Sequence, residues 1–337
     1  MRYDPIPSPT SRAQAALHHR PLHEPPPPSA RERDLAEILH GLALQQKRLP
    51  TRLLYDEQGS NWFEAICELP EYYVTRAELS LLHDHAGDIA AFIGSDAALI
   101  EPGAGYGAKA RLLLQAMHRP SLYAPMDIDD TVLRRCEIVT RCAFPDLRVA
   151  PLHGDFMQPF VVPSASQARQ RVVFFPGSTI GNFDPAQAGR LLQQFRQAAG
   201  PGSRLLVGVD LRKNAETLRR AYDDAQGITA AFNLNLLKRL NREFDAQFDI
   251  AAFRHRAVYD KQLHRIEMHL VSRYAQLVRI GRRCVRLRRG ETIHTENSYK
   301  YLPSQFADLA SDAGWQWMRL WMDGEQRVGL LAFAAVE

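Results

Sequence analysis

The stretch Ile100-Glu101-Pro102-Gly103-Ala104-Gly105-Tyr106-Gly107-Ala108-Lys109 constrains this chain more than any other. Ala97 to Ile100 follow the apolar run Ile89 to Ile93 and read as a short buried strand. Ala110, Leu113, Leu114 and Met117 recur at helical spacing over Ala108 to Met117. The order is strand, glycine turn, helix. Glycines at 103, 105 and 107 let a ligand approach the backbone without Cβ obstruction, and the helix start behind them offers free N–H groups. Taken alone, such a turn is equally a tight βα connection with no ligand.

Two further strand tips favour a ligand. Tyr123 to Ile128 is a second apolar run that carries Asp127 at its end, 26 residues past Glu101, where an acid can hold a ribose diol. A third run, Leu147 to Leu152, leads into His153-Gly154-Asp155-Phe156, an acid and an aromatic at the same edge. Three successive strand tips facing one crevice form a nucleoside site. The glycines follow G-x-G-x-G instead of G-x-G-x-x-G, and Glu101 stands at the strand's end. An acid there suits a cationic, phosphate-free ligand better than a pyrophosphate, which a helix N-terminus otherwise attracts. S-adenosyl-L-methionine combines adenosine, a sulfonium and an amino acid without phosphate, and is favoured over NAD.

Composition sets the outer limits. With 337 residues, 45% hydrophobic and 24% charged, the chain is long enough for one α/β domain of about 200 residues plus a smaller unit. No apolar run approaches the ~20 residues of a membrane span and the N-terminus lacks a signal-peptide core, so a soluble, cytoplasmic protein is expected. Cys67, Cys136, Cys142 and Cys284 have neither C-x-x-C spacing nor the density of a disulfide scaffold. The twelve histidines include His18-His19 and His83-x-His85 but no H-E-x-x-H, so no metal is expected. The formal net charge is +4, and positive residues crowd one stretch with Arg279, Arg282, Arg283, Arg286, Arg288 and Arg289. Val285 and Leu287 alternate with arginines there, the period of a half-buried hairpin with a wet face, and no aromatics interleave as in an RNA-binding ribbon. No nucleic acid, no membrane and no obligate protein partner are expected.

Along the chain, residues 1–33 hold eight of the 21 prolines and read as a disordered extension. A helix is predicted from Asp34 to about Gln46, with Leu35, Ile38, Leu39 and Leu42 on one side, opening an N-terminal helical cap over 34–90. Tyr55, Trp62, Phe63, Tyr72 and Tyr73 lie in that cap, where they can pack it down or reach a ligand. Arg171 to Ser178 is a continuous apolar run suited to a central parallel strand. Asp184 then caps a helix with Pro185 at its first position, which leaves Asn182 in the loop at the strand's carboxyl edge, next to the crevice of a doubly wound sheet. Ser203 to Asp210 supplies a fifth strand. Two helices over 214–244, with Ile228, Phe232, Leu236, Leu240 and Phe244 in one stripe, and strands over 252–280 and 291–301 form an α+β lobe at 213–300. A helix from Ser304 to Ala313 and strands Trp315 to Trp321 and Arg327 to Ala335 return to the sheet as an antiparallel pair. The expected fold is α/β, a Rossmann-like doubly wound sheet over 91–212 and 301–337 with the smaller α+β lobe beside it.

Several motifs in one order carry a family resemblance: L-P-E-Y-Y-x-T-R-A-E at 69–78, G-S-T-I-G-N at 177–182, A-Y-D-D-A-x-G-I-T-A-x-F-N at 221–233, R-I-E-M at 265–268 and T-E-N-S-Y-K at 295–300. Over about residues 35 to 335 the chain resembles the histidine Nα-methyltransferases of ergothioneine biosynthesis. The resemblance implies that Gly103, Gly105, Lys109, Asp127, Asp155 and Phe156 bind S-adenosyl-L-methionine. It implies that Asn182 and Tyr222 hold the α-amine and carboxylate of L-histidine, with Tyr72 adding a contact from the cap. Glu296 and Ser298 would bind the imidazole, with Met268 packed beside them. Pro102 and Tyr106-Gly107-Ala108 depart from the polar residues usual in the family's glycine turn. Glu296 and Ser298 are two apart, so on a strand they point together, into a pocket or into water. Methylation of another amino acid or amine, and a non-catalytic nucleotide- or RNA-binding module, are the alternatives.

Overall fold

A computed structural model describes residues 29–164 and 168–336. The proline-rich extension thus lies outside the described residues up to residue 28. Ser29 accepts from the Glu32 N–H while Glu32 reaches back to the Ser29 N–H, a capping box that starts the first helix four residues earlier than its apolar stripe predicts.

The elements in chain order are α1 (Ala30–Ala43), β1 (Lys47–Arg48), α2 (Glu57–Cys67) and α3 (Tyr73–Ile93), then β2 (Ala97–Pro102), α4 (Ala108–Ala116), β3 (Leu122–Asp127), α5 (Asp130–Ala143) and β4 (Leu152–His153). Next come β5 (Gln170–Phe175), α6 (Pro185–Ala199), β6 (Arg204–Asp210), α7 (Ala215–Ala221) and α8 (Ile228–Glu243). The chain continues through β7 (Phe253–Asp260), β8 (Arg265–Ser272), β9 (Gln276–Ile280), β10 (Arg283–Leu287) and β11 (Thr292–Tyr299), and closes with α9 (Pro303–Asp312), β12 (Trp315–Met322) and β13 (Val328–Ala335).

Seven strands form the large sheet in the order β12-β13-β6-β5-β2-β3-β4, with β2 to β6 parallel and β12 and β13 antiparallel, as the sequence predicts. The strand order reverses between β2 and β5, so the crevice above their carboxyl ends is where a doubly wound sheet takes a ligand. The central strands are buried on both faces, which is why they read as unbroken apolar runs. The third run is a weaker strand than expected. Pro151 cannot donate to a ladder, and pairing with β3 is reduced to an isolated bridge at Tyr123 and Val149 and the two residues of β4.

A second sheet, β1-β11-β8-β7, packs under α8. Its apolar cluster joins Ile38, Leu42, Leu53 and Leu54 to Phe232, Leu236, Leu240, Met268, Leu270 and Ile293, so the N-terminal helices share a core with the lobe and do not merely cover it. Burial of such a cluster contributes roughly 25 cal/mol per Å² of apolar surface. The arginine-rich segment is a separate two-stranded ribbon, β9–β10, with Val278, Ile280 and Leu287 buried and Arg279, Arg286 and Arg288 exposed.

Candidate active site

The two sheets meet at the end of β5. Gly177 and Ser178 both take positive φ (+84° and +56°), turning the chain sharply into a 3₁₀ turn at Thr179–Asn182. A Cβ on Gly181 would lie 2.9 Å from the Tyr299 carbonyl oxygen, so only glycine lets this turn lie flat on β11. That contact carries Asn182 to Glu296, with Nδ2 3.3 Å from Oε1. Asp184 and Gln187 then form a capping box and Pro185 opens α6.

One cavity at this junction is lined by Tyr72, Asn182, Tyr222, Met268, Glu296 and Ser298, the whole set that the motifs singled out for a substrate. Glu296 and Ser298 are 6% and 3% exposed, which settles their direction: both point into the protein, not into water. A bulge between His294 and Glu296 in the β11–β8 pairing accompanies this turn of Glu296 toward the cavity. Tyr222 sits at the C-terminal cap of α7, not within a helix, and its carbonyl accepts from His255 Nε2 at 2.8 Å. Asn233 Nδ2 lies 2.9 Å from His255 Nδ1 and donates to it, which fixes the proton on the other ring nitrogen.

The motifs left part of the wall unassigned. Tyr55 Oη donates to Glu296 Oε1 at 3.3 Å, and Phe63, Phe232, Thr179 and Thr229 are also among the lining residues. Edge-on rings connect Tyr55 to Phe63 and Phe232, Phe63 to Tyr72, and Tyr72 to Tyr222, at centroid separations of 5.6 to 6.2 Å. Tyr55, Phe63 and Tyr72 of the cap therefore pack it down and wall the cavity at once, whereas Trp62 and Tyr73 do not line it. Thr179 and Thr229 stand inside quoted motifs, but nothing in their spacing marks them as lining.

Burial pushes the Glu296 carboxyl up to about 7, against the Tyr55 bond and the positive Lys300. An acid whose folded pKa exceeds its unfolded value binds more protons when folded, so stability falls as pH rises from the ordinary carboxylate range through about 7 and is level above it. Ligand-free wild type is therefore expected to lose about 3 kcal/mol relative to Glu296→Gln between pH 4.5 and pH 7. Denaturant unfolding of both proteins across that range measures it. A difference that does not change with pH would mean that Glu296 titrates in the ordinary range.

Across the crevice, the glycine turn has the expected shape. Gly103, Gly105 and Gly107 all have positive φ, and a Cβ on Gly103 would come within 3.3 Å of the Phe156 ring, so the aromatic lies directly against the turn. Asp127 ends β3, half-buried; its Oδ2 accepts from the Gly105 N–H at 2.9 Å and its Oδ1 from the Asp129 N–H at 3.0 Å. Each oxygen keeps acceptor capacity for a diol. Asp155 Oδ1 accepts from the Met157 N–H at 2.8 Å, which holds Asp155 and Phe156 at the neighbouring strand tip.

Glu101 stands differently from what its position before the turn predicts, and Lys109 has a partner that the sequence does not reveal. Glu101 is 1% exposed and bonded to Tyr123 Oη, and burial raises its pKa to about 8, so it faces the core and not the open crevice. Its place before the turn is a packing feature. Lys109 is paired with the fully buried Glu78 at 2.5 Å, and Glu78 also accepts from the Gly177 N–H at 2.8 Å. The pair ties α4 to the β5 turn. With its charge met by Glu78, Lys109 offers a poor phosphate anchor, and the turn, the strand-tip acid and the aromatic fit a phosphate-free adenosine ligand.

A family profile described as histidine-specific methyltransferase, SAM-dependent, matches residues 34–335. The chain is 38% identical over 307 residues to the histidine N-alpha-methyltransferase of Mycolicibacterium smegmatis, covering 90% of this chain and 95% of that one. To the protein of the same name from Mycobacterium tuberculosis it is 37% identical over 299 residues, covering 87% and 92%. It is also 31% identical over 291 residues to ergothioneine biosynthesis protein 1 of Neurospora crassa, covering 83% of this chain and 32% of that protein.

Proposed function

The chain belongs to the histidine-specific, SAM-dependent methyltransferase family, and from that premise we propose that it methylates the α-amine of L-histidine three times, giving Nα,Nα,Nα-trimethylhistidine (hercynine) for ergothioneine biosynthesis. The observation that carries this reading is the single cavity in which Glu296 and Ser298 from β11 stand beside Asn182 and Tyr222, one pair suited to an imidazole and the other to an amino acid's amine and carboxylate. S-adenosyl-L-methionine supplies an electrophilic methyl group on a sulfonium.

The protein's task is mainly positional. Asn182 stands at the end of the turn after β5 and orients the amine, with Tyr222 and Tyr72 lining the same cavity. Alignment of nitrogen, carbon and sulfur at near-attack distance is worth up to roughly 7–11 kcal/mol in favourable cases. Before each transfer the ammonium must release a proton, and Tyr222, Asn182 or a water chain can take part. The cavity must also let a methylated amine rotate and present its lone pair again.

Gly103, Gly105, Lys109, Asp127, Asp155 and Phe156 are assigned to the cofactor, within 91–212 and 301–337; the cap at 34–90 and the lobe at 213–300 are assigned to histidine. Asp127→Ala is expected to weaken S-adenosyl-L-methionine at least tenfold and histidine much less, because a diol loses a charge-assisted bond. Calorimetry with each ligand checks it, and unchanged cofactor affinity in a folded variant would remove Asp127 from the site. No helix among the described residues is long and apolar enough to cross a membrane, and with four free cysteines we place the reaction in the cytoplasm.

The acceptor itself is tested by transfer of labelled methyl to a panel of amino acids. Histidine should have the highest kcat/KM by a wide margin; a preference for another amino acid or amine would overturn the reading.

A further inference from the structure

Behind the cavity wall lies a group that the reaction scheme leaves unused. Lys300 follows Ser298 by two residues at the end of β11 and has a fully buried side chain. Its ammonium has three N–H donors and three oxygen partners: Asp210 Oδ2 at 2.7 Å, Ser298 Oγ at 2.7 Å and Tyr222 Oη at 3.1 Å. Asp210, also fully buried, ends β6. Tyr73 Oη lies 2.8 Å from both its oxygens, Lys213 is bound to it as well, and its N–H donates to Ser178 Oγ at 2.9 Å. The lysine is thus held from three elements and cannot follow a ligand.

An ammonium donates and never accepts, so Tyr222 and Ser298 both receive from Lys300. Their oxygens are 2.7 Å apart. One hydroxyl proton is spent on that mutual bond, in whichever direction it runs. The remaining hydroxyl proton is left for whatever occupies the cavity.

We infer that Lys300 is a positioning residue that fixes the Tyr222–Ser298 pair as a hydrogen-bond donor toward the acceptor atoms of the amino acid, its carboxylate or its bare ring nitrogen. This rests on the reading that histidine occupies the cavity. Glu296 then supplies the acceptor side and the hydroxyl pair the donor side of one recognition surface, and without the ammonium the two hydroxyls are free to turn either way.

A double-mutant cycle on kcat/KM for histidine tests it, because a residue that acts through the two hydroxyls loses its effect once they are gone. Lys300→Met is expected to lower kcat/KM about tenfold or more in the wild-type background, as for a hydrogen bond to a charged group. In a Tyr222→Phe/Ser298→Ala background the same change is expected to cost less than about twofold, with S-adenosylhomocysteine affinity steady throughout. Equal losses in both backgrounds would overturn the assignment and leave Lys300 a structural residue. A wild-type protein that does not use histidine would overturn the functional reading instead. Should Lys300→Met fail to fold with Asp210 and Lys213 left behind, Asp210→Asn/Lys300→Met removes the Asp210–Lys300 charge pair and enters the same cycle. If neither folds, ¹⁵N-lysine-labelled wild type decides: histidine must shift the Lys300 Nζ resonance, and a resonance that does not move overturns the proposal.

Discussion

Glu296→Ala is expected to raise the KM for histidine by roughly 10²-fold or more while leaving cofactor affinity nearly unchanged. Glu296 is 6% exposed, and both its hydrogen bonds, from Asn182 and Tyr55, fall on Oε1, so Oε2 is the oxygen available to a ring N–H. A site built to bond a polar substrate group can reject analogues lacking it by up to roughly 10⁴–10⁵-fold, since the buried acid is then left unpaired. Alanine removes that penalty together with the bond. The preference for histidine over leucine or phenylalanine should therefore narrow from both sides. The ratio of kcat/KM values in wild type and variant measures it. A ratio that does not move would mean the imidazole is read elsewhere, even in an enzyme that still methylates histidine.

Asn182→Ala is expected to lower kcat by about 10²-fold, because misplacing one reactant by about 1 Å costs that much when alignment carries the rate. In free energy this is about 2.7 kcal/mol of transition-state stabilisation. Asn182 ends the turn that Gly181 seats on β11, and its half-buried amide bonds a side chain, not the backbone, so the variant should keep its fold. Steady-state kinetics beside a thermal melt separates the two effects. Wild-type kcat in a folded variant would reduce Asn182 to a loop residue.

The sheet was legible because its signals are local. Unbroken apolar runs mark strands buried on both faces, and Asp184 followed by Pro185 marks a helix start. Asp127 could be placed at a strand tip by counting from the glycine turn. The family motifs brought together six residues that do share one cavity. What could not be read were pairings set by the tertiary fold. Glu78 meets the Gly177 N–H across 99 positions of sequence, and nothing local announces that Lys109 will be drawn to it. Glu101 looked like an anion at a crevice because an apolar run does not say whether an acid near its end turns toward the core or the crevice. Lys300 is the instructive omission. Residues 296, 298 and 300 share one face by the period of two, so the signal was present in T-E-N-S-Y-K, and only the unknown position of Asp210 hid its use.

The central claim is that this cavity presents the α-amine of histidine to an activated methyl group, repeatedly. The most direct test is incubation of the purified protein with L-histidine and excess S-adenosyl-L-methionine, followed over time by mass spectrometry with fragmentation to locate the added methyl groups. Products carrying one, two and finally three methyl groups, all on the α-nitrogen, are predicted. Methyl groups on the imidazole ring, or histidine recovered unchanged while another amine is methylated, would contradict it.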